Sequence, residues 1–221
     1  PAVMLPGTGS FTSMVNASIY DFYEALGTSR PVFTPETVEG TRELLGGKYY
    51  ISTELKKDTE YLQKVSSSEK DYYLYEHDDI EQINMVCYDD VTYKAYKKAY
   101  EMYMTNSDFL EMPNELRPAA MLKCIIISDK DEYKVFDVLK KYDKQKDEEI
   151  FSYKIEKLVE ERNRETSEIL EKSYGGFTCT IAVDKTKYAF FSVPYDRGFK
   201  AYVNGNKVEI LKTNGMMAIP L

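Results

Sequence analysis

Residues 177–221 read FTCTIAVDKTKYAFFSVPYDRGFKAYVNGNKVEILKTNGMMAIPL. Two Asn-Gly steps, Asn204-Gly205 and Asn214-Gly215, each lie between alternating apolar and polar residues. Asn-Gly tolerates the positive φ angles of a type I′ turn, whose twist matches that of paired strands, so each step predicts a β-hairpin. The alternation puts Phe199, Ala201 and Val203 on one side and Lys200, Tyr202 and Asn204 on the other. The tail is therefore expected to form an antiparallel meander of four or five strands. A meander of that size buries too little to stand alone. It is expected to pair with earlier strands in an antiparallel, jelly-roll-like β-sandwich with peripheral helices, an α+β fold.

Upstream, Ser18 to Leu26 carries Ile19, Phe22, Tyr23 and Leu26 at helical spacing and ends at Gly27, a residue suited to a helix C-cap. Thr34-Pro35 predicts a second helix start, closed by Gly46-Gly47, and Lys48 to Ser52 predicts the first strand. Residues 55–69 read as a polar connection with a short helix from Asp58 to Val65. Strands are expected at Tyr72 to Glu76 and Ile83 to Tyr88. Asp89-Asp90 then starts a helix with Tyr93, Tyr96, Tyr100 and Met104 on one core-facing stripe.

Pro113 and Pro118 bracket an irregular stretch, after which Met121 to Ser128 reads as a buried strand. Asp131 is expected to cap a helix that turns Val135, Phe136 and Leu139 inward. Lys140 to Glu149 reads as a charged surface loop and Ile150 to Ile155 as a strand. Glu156 to Lys172 is the longest predicted helix, with Leu158, Val159, Arg162, Ile169 and Leu170 on one stripe and Gly175-Gly176 at its end. A boundary near Tyr174 divides a single domain, 1–221, into a mixed helix and strand region (1–174) and the meander (175–221).

Composition bounds the function. The 221 residues are 43% hydrophobic and 30% charged, ordinary for a globular chain that buries a sizeable core. The formal net charge of −8 argues against a nucleic-acid partner, which needs a basic face, and against docking on anionic lipid. A membrane helix needs roughly 20 apolar residues in succession. The most apolar run, Ala119 to Ile127, is broken by Lys123. The three cysteines, Cys87, Cys124 and Cys179, cannot form a complete disulfide framework and lie in strand-like apolar contexts that suit small buried hydrophobes. A disulfide between two of them is left open.

Catalytic signatures are sparse. The chain has no P-loop, no His-Glu-x-x-His and no Gly-x-Ser-x-Gly. Its single histidine, His77, is flanked by Glu76, Asp78 and Asp79 in a predicted turn. Asp78-Asp79 and Asp89-Asp90 are adjacent carboxylates, whereas glycoside hydrolysis holds two carboxyls roughly 5 to 9 Å apart across a sugar. No catalytic residue, metal site or cofactor is expected.

The loop that stands out is Pro194-Tyr195-Asp196-Arg197-Gly198. Tyr195 can stack on a sugar face, and Asp196 and Arg197 can hydrogen-bond hydroxyls or a phosphate. Tyr202 is a further candidate contact. The competing account is a turn in which Gly198 supplies an unusual φ and Asp196 binds backbone N–H groups. Arg162 and Arg164 read as helix partners of Glu161, Glu165 and Glu168.

The stretch FFSVPYDRGFKAYVNGNKVEI resembles the C-terminal extracytoplasmic portion of the YfhO family of bacterial multi-pass membrane proteins. The resemblance rests on Ser192, Val193, Pro194, Tyr195, Asp196, Arg197, Gly198 and Phe199, then Ala201, Tyr202, Val203, Asn204, Gly205 and Lys207. Upstream, SIYDFYEALG, LLGGKYYIS, YYLYEHDD, LRPAAMLKCIII and LVEERNRE occur in the family's order. The family more often has Trp at the position of Phe199, and it implies a further strand and a membrane helix beyond Leu221.

The resemblance implies an extracytoplasmic segment of a membrane glycosyltransferase of the lipid-linked-sugar type, which decorates cell-surface polymers such as lipoteichoic acid. The family's catalytic acid lies in an earlier loop, so none is carried onto this chain. The implied partners are the transmembrane region of the parent protein and a cell-surface glycopolymer or lipid-linked sugar. Alternatives are an envelope protein–protein scaffold and, less favoured, a free-standing hydrolase. In a bacterial protein the Asn16-Ala17-Ser18 sequon carries no weight.

Overall fold

The computed structural model of the chain describes residues 16–28, 40–45, 49–55, 60–76, 95–96, 102–147, 155, 157–159, 169–173, 175–181 and 188–221. In chain order, α1 (Ala17–Ala25) and α2 (Thr41–Leu45) precede β1 (Tyr49–Ser52), β2 (Gln63–Ser66), β3 (Asp71–Glu76), β4 (Ala95–Tyr96) and β5 (Met102–Thr105). Then come α3 (Asn106–Leu110), a 3-10 turn at Asn114–Leu116, α4 (Arg117–Lys123) and β6 (Cys124–Ile127). A 3-10 segment at Asp129–Lys134, β7 (Lys140–Lys141) and α5 (Lys144–Asp147) complete the middle of the chain. The tail holds β8 (Ile169–Ser173), β9 (Gly176–Thr180), β10 (Tyr188–Pro194), β11 (Ala201–Val203), β12 (Asn206–Val208), β13 (Leu211–Thr213) and β14 (Met216–Pro220).

Among the described residues the fold is a mixture of helices with five small sheets, none of them closed. Four are antiparallel in every pairing, in the orders β1-β3-β2, β13-β14-β10-β4, β11-β12 and β8-β9. The fifth, ordered β6-β5-β7, is parallel. Its two main strands, Met-Tyr-Met-Thr and Cys-Ile-Ile-Ile, are buried at every position. Such continuous apolar runs suit parallel strands covered on both faces. The connection from β5 to β6 runs through α3 and α4, and Pro118 sits in the first turn of α4, where its missing N–H costs no helix bond.

Both Asn-Gly steps turn as expected. Asn204 and Gly205 have φ of 50° and 81°, and Asn214 and Gly215 have 44° and 82°. Each closes a hairpin, β11–β12 and β13–β14. The tail is nevertheless not one simple meander. Strand β10 skips the first hairpin to pair with β14, with an irregularity between Phe191 and Pro194, and its other edge takes β4 from the first half of the chain. Alternation along β10 serves two cores. Tyr188 and Phe190 join the main cluster with Phe22, Met104, Ile125 and Leu211, while Ala189, Phe191 and Val193 join Met217 in a second cluster.

Several readings are corrected. Met121 to Lys123 finish α4, and only Cys124 to Ile127 extend. Tyr96 and Met104 lie in strands rather than on one helical stripe. Of the helix expected over 156–172, residues 157–159 are helical with Leu158 and Val159 buried, but Ile169–Ser173 is a strand paired with β9 across Gly175 at φ 84°. Pairing across a tight turn outweighs the helical spacing of two apolar residues.

Gln63–Ser66 is a strand where a helix was expected, the charged run from Lys140 carries β7 and α5, and Ile155 is helical. Val135 and Leu139 are buried as expected, but Phe136 is 54% exposed, because a 3-10 segment at Asp129–Lys134 replaces the α-helix and no side chain caps it. Cys124 is buried and Cys179 half-buried, and neither is joined in a disulfide. The readings at Thr34-Pro35, Gly46-Gly47, His77, Asp78-Asp79, Ile83 to Tyr88 with Cys87, Asp89-Asp90, Ile150 to Lys154, Arg162 and Arg164 lie outside the described residues. No helix among the described residues is long and apolar enough to cross a membrane.

Candidate functional site

A surface cleft of about 660 Å³ lies where the two halves of the chain meet. One wall is the N-terminus of α1 with Asn16, Ala17 and Ser18, and a second is the end of β6 with Ile127, followed by Asp131 and Lys134. The tail supplies the others: Tyr195, Asp196 and Arg197 after β10, and Glu209 to Lys212 leading into β13.

Local structure fixes each wall. Asn16 is the N-cap of α1, its Oδ1 accepting the Ser18 N–H at 2.9 Å, while its Nδ2 reaches the Tyr195 carbonyl at 3.4 Å. The sequon asparagine thus serves as a helix cap that also holds the tail. The Tyr195 N–H donates to the Gly215 carbonyl at 2.7 Å. Gly215 itself packs so closely on α1 that a Cβ there would stand 1.9 Å from the Ser18 carbonyl oxygen. The second turn is therefore wedged against the helix that forms the opposite wall.

The Tyr195 loop is a turn stabilised by Asp196. Its Oδ1 accepts the Gly198 N–H at 2.7 Å, and its carbonyl accepts the Phe199 N–H at 3.2 Å. Gly198 does not adopt a positive φ. What it supplies is room, since a Cβ there would come within 3.1 Å of the Asp196 carboxylate. The turn account thus holds for Asp196, which binds backbone N–H groups, and not for the φ of Gly198. Asp196 builds the turn, and the turn presents Tyr195 and Arg197 to the cleft.

Charge is distributed unevenly over the cations. Lys134 is shared between Glu209 at 2.7 Å and Asp131 at 3.0 Å, and these carboxylates hold its ammonium pKa well above the ordinary lysine value. Lys212 is ion-paired with Asp21 of α1, and its Nζ lies 6.0 Å from the centroid of the Tyr195 ring. Arg197 is exposed and pairs with no other described residue. Two cations therefore tie walls together, and the third has no partner among the described residues.

The structure brings Tyr195, Asp196 and Arg197 into the cleft but leaves Tyr202 on the first hairpin, 61% exposed and outside the lining. Asn16 to Ser18 were noted only as a sequon and Asp131 only as a helix cap, and Lys134, Glu209 and Lys212 were not singled out from sequence. Only their tertiary approach makes them a site. Asp131 and Glu209 are engaged by one ammonium, so they do not form the free acid and base that sugar hydrolysis requires. Among the described residues no group of three or more His, Cys, Asp or Glu side chains is placed to hold a metal ion.

Residues 144–221 match the family model described as bacterial membrane protein YfhO. The matched segment contains the tail walls of the cleft, whereas Asn16 to Ser18, Ile127, Asp131 and Lys134 precede it. No curated protein and no solved structure matches the chain.

Proposed function

We propose, from the match of residues 144–221 to the family model of bacterial membrane protein YfhO, that this chain is an extracytoplasmic domain of such a protein, and that it positions the acceptor of a glycosyltransferase. In this reading the domain is not catalytic alone. It holds a cell-surface polymer of the lipoteichoic acid type, or a lipid-linked sugar, beside the transmembrane region of the parent protein. The domain is taken to span 1–221, as a mixed helix and strand region (1–174) and a β-rich tail (175–221). Burial of β10 on both faces supports a sandwich-like, jelly-roll-like arrangement.

The observation that carries the reading is the cleft lined by Tyr195, Asp196 and Arg197. A half-buried tyrosine offers a flat apolar face to a pyranose ring, and an exposed guanidinium beside it, unpaired among the described residues, offers donors to hydroxyls or a phosphate. A few polar groups converging on a preformed concavity are the usual form of a ligand site. Tyr202, outside the cleft, would meet only a longer polymer.

A glycan and teichoic-acid array probed with this polypeptide tests the reading. Saturable binding abolished by Tyr195→Ala supports acceptor positioning, and a blank array rejects it. The alternative scaffold reading draws on Tyr133, Phe136 and Val138, which are 67%, 54% and 46% exposed along the segment leading to β7. It predicts capture of an envelope protein that Phe136→Ser abolishes and Tyr195→Ala leaves intact.

A further inference from the structure

Tyr195 is held on several sides. Its N–H is bonded to Gly215, its carbonyl to Asn16, and its ring packs against the cluster of Ala189, Phe191, Val193 and Met217. The ring also meets Lys212, with its ammonium 6.0 Å from the ring centroid. A lysine ammonium on four flexible carbons would ordinarily wander. Here it is anchored by the Asp21 carboxylate on α1, 191 residues away in sequence, which itself does not line the cleft.

We infer that Lys212 is a positioning residue for Tyr195. Anchored by Asp21, it helps set the orientation in which the ring meets a pyranose unit in the cleft. The consequence for sugar binding rests on the saccharide reading above, whereas the setting of the ring does not. Asp21 then governs affinity without touching ligand. The attraction of a cation for an aromatic face and the ion pair act in series, so loss of either partner loosens the setting of the ring. Both side chains are partly exposed, 45% for Asp21 and 42% for Lys212, so their replacement leaves the core in place.

The test compares the unsubstituted chain with Asp21→Asn, Lys212→Ala and Lys212→Arg by two readouts. The first is hydroxyl-radical footprinting of Tyr195 by peptide mapping, which needs no ligand. The second is affinity for immobilised pyranose glycans. In Asp21→Asn and Lys212→Ala, Tyr195 oxidation is expected to rise and glycan affinity to fall by about two- to fivefold each, with Lys212→Arg close to the unsubstituted chain in both. An unchanged Tyr195 footprint in Asp21→Asn and Lys212→Ala overturns the inference. So does a Lys212→Arg chain that behaves like Lys212→Ala, because packing rather than charge would then set the ring. An altered footprint with no glycan bound by any of the four proteins upholds the role of Lys212 and overturns the saccharide reading.

Discussion

The backbone N–H of Ile126 donates to Oγ1 of Thr213 at 3.1 Å, across 87 residues of sequence. Ile126 lies on β6, the outer strand of the parallel sheet, and Thr213 on β13, the outer strand of the tail sheet. Both residues are buried, at 2% and 4% exposure. An edge-strand N–H in that position has no water and no ladder partner, so a side-chain hydroxyl supplies the acceptor. The two sheets meet edge to edge there, and the cleft opens beside the junction at Ile127 and Leu211.

Thr213→Val keeps the shape of the side chain and removes the acceptor. It is expected to cost about 1–3 kcal/mol, the penalty of a buried donor left unpaired. Thr213→Ser should recover most of it. Urea unfolding checks this, with a lowered midpoint at unchanged slope as the expected result.

Gly205 and Gly215 occupy the same turn conformation, at φ of 81° and 82°, in opposite surroundings. Nothing lies within 4 Å of a Cβ added at Gly205, whereas one at Gly215 meets the Ser18 carbonyl oxygen at 1.9 Å and the Phe22 nitrogen at 3.1 Å. Gly205→Ala should cost only the left-handed backbone strain, about 1–2 kcal/mol. Gly215→Ala must also displace α1 and should cost more than about 4 kcal/mol. Thermal or urea unfolding of the two variants side by side measures the difference.

Arg117 is a buried cation that serves two helix ends. Its Nη1 donates to the carbonyl of Ala25, the last residue of α1, at 3.2 Å, and its Nη2 to that of Leu110, the last residue of α3, at 2.9 Å. Its guanidinium also stands 5.6 Å from the Phe109 ring centroid. Positive charge at helix C-termini opposes the aligned peptide dipoles favourably. Arg117→Met strands both carbonyls and should cost about 2–4 kcal/mol, and Arg117→Lys less, since one donor group can still reach one carbonyl. Urea unfolding of the two variants gives the order.

At the end of the parallel sheet, Tyr103 donates to Glu132 at 2.9 Å and Lys141 donates to the same carboxylate at 2.7 Å. Burial first, and the bond to Glu132 second, push the Tyr103 phenol from 10.0 up to about 12. The native state therefore keeps its proton where the unfolded chain has lost it. Stability from this group is complete below the unfolded value and is lost as pH rises through that window, with a slope of at most about 1.4 kcal/mol per pH unit. Tyr103→Phe should be less stable than the unsubstituted chain at neutral pH and flatter in this alkaline window. Urea titrations at a series of alkaline pH values check both.

What was legible in the sequence was local. Asn204-Gly205 and Asn214-Gly215 announce hairpins because the turn conformation is encoded in two adjacent residues. Ser18 to Gly27 announces a helix because stripe and terminator lie within ten positions, whereas the Asn16 cap shows only in the structure. Ile169 and Leu170 misled because two apolar residues fit a helical stripe as well as a strand, and their partners, Thr180 and Cys179, lie beyond a glycine turn. The parallel pairing of Met102–Thr105 with Cys124–Ile127 is non-local and leaves no short-range mark. The cleft divides in the same way. Tyr195 to Arg197 were visible as a loop with unusual chemistry, but Lys134, Glu209 and Lys212 acquire meaning only through carboxylates brought from other elements.

Amide chemical-shift mapping of the full chain by NMR, during titration with soluble teichoic acid fragments, tests acceptor positioning most directly. Saturable shifts are predicted at Ser18, at Tyr195 to Arg197 and at Lys212 together, since these residues from both halves line one cleft. Saturating polymer that leaves those signals in place, or that moves only the Tyr202 hairpin, would contradict it.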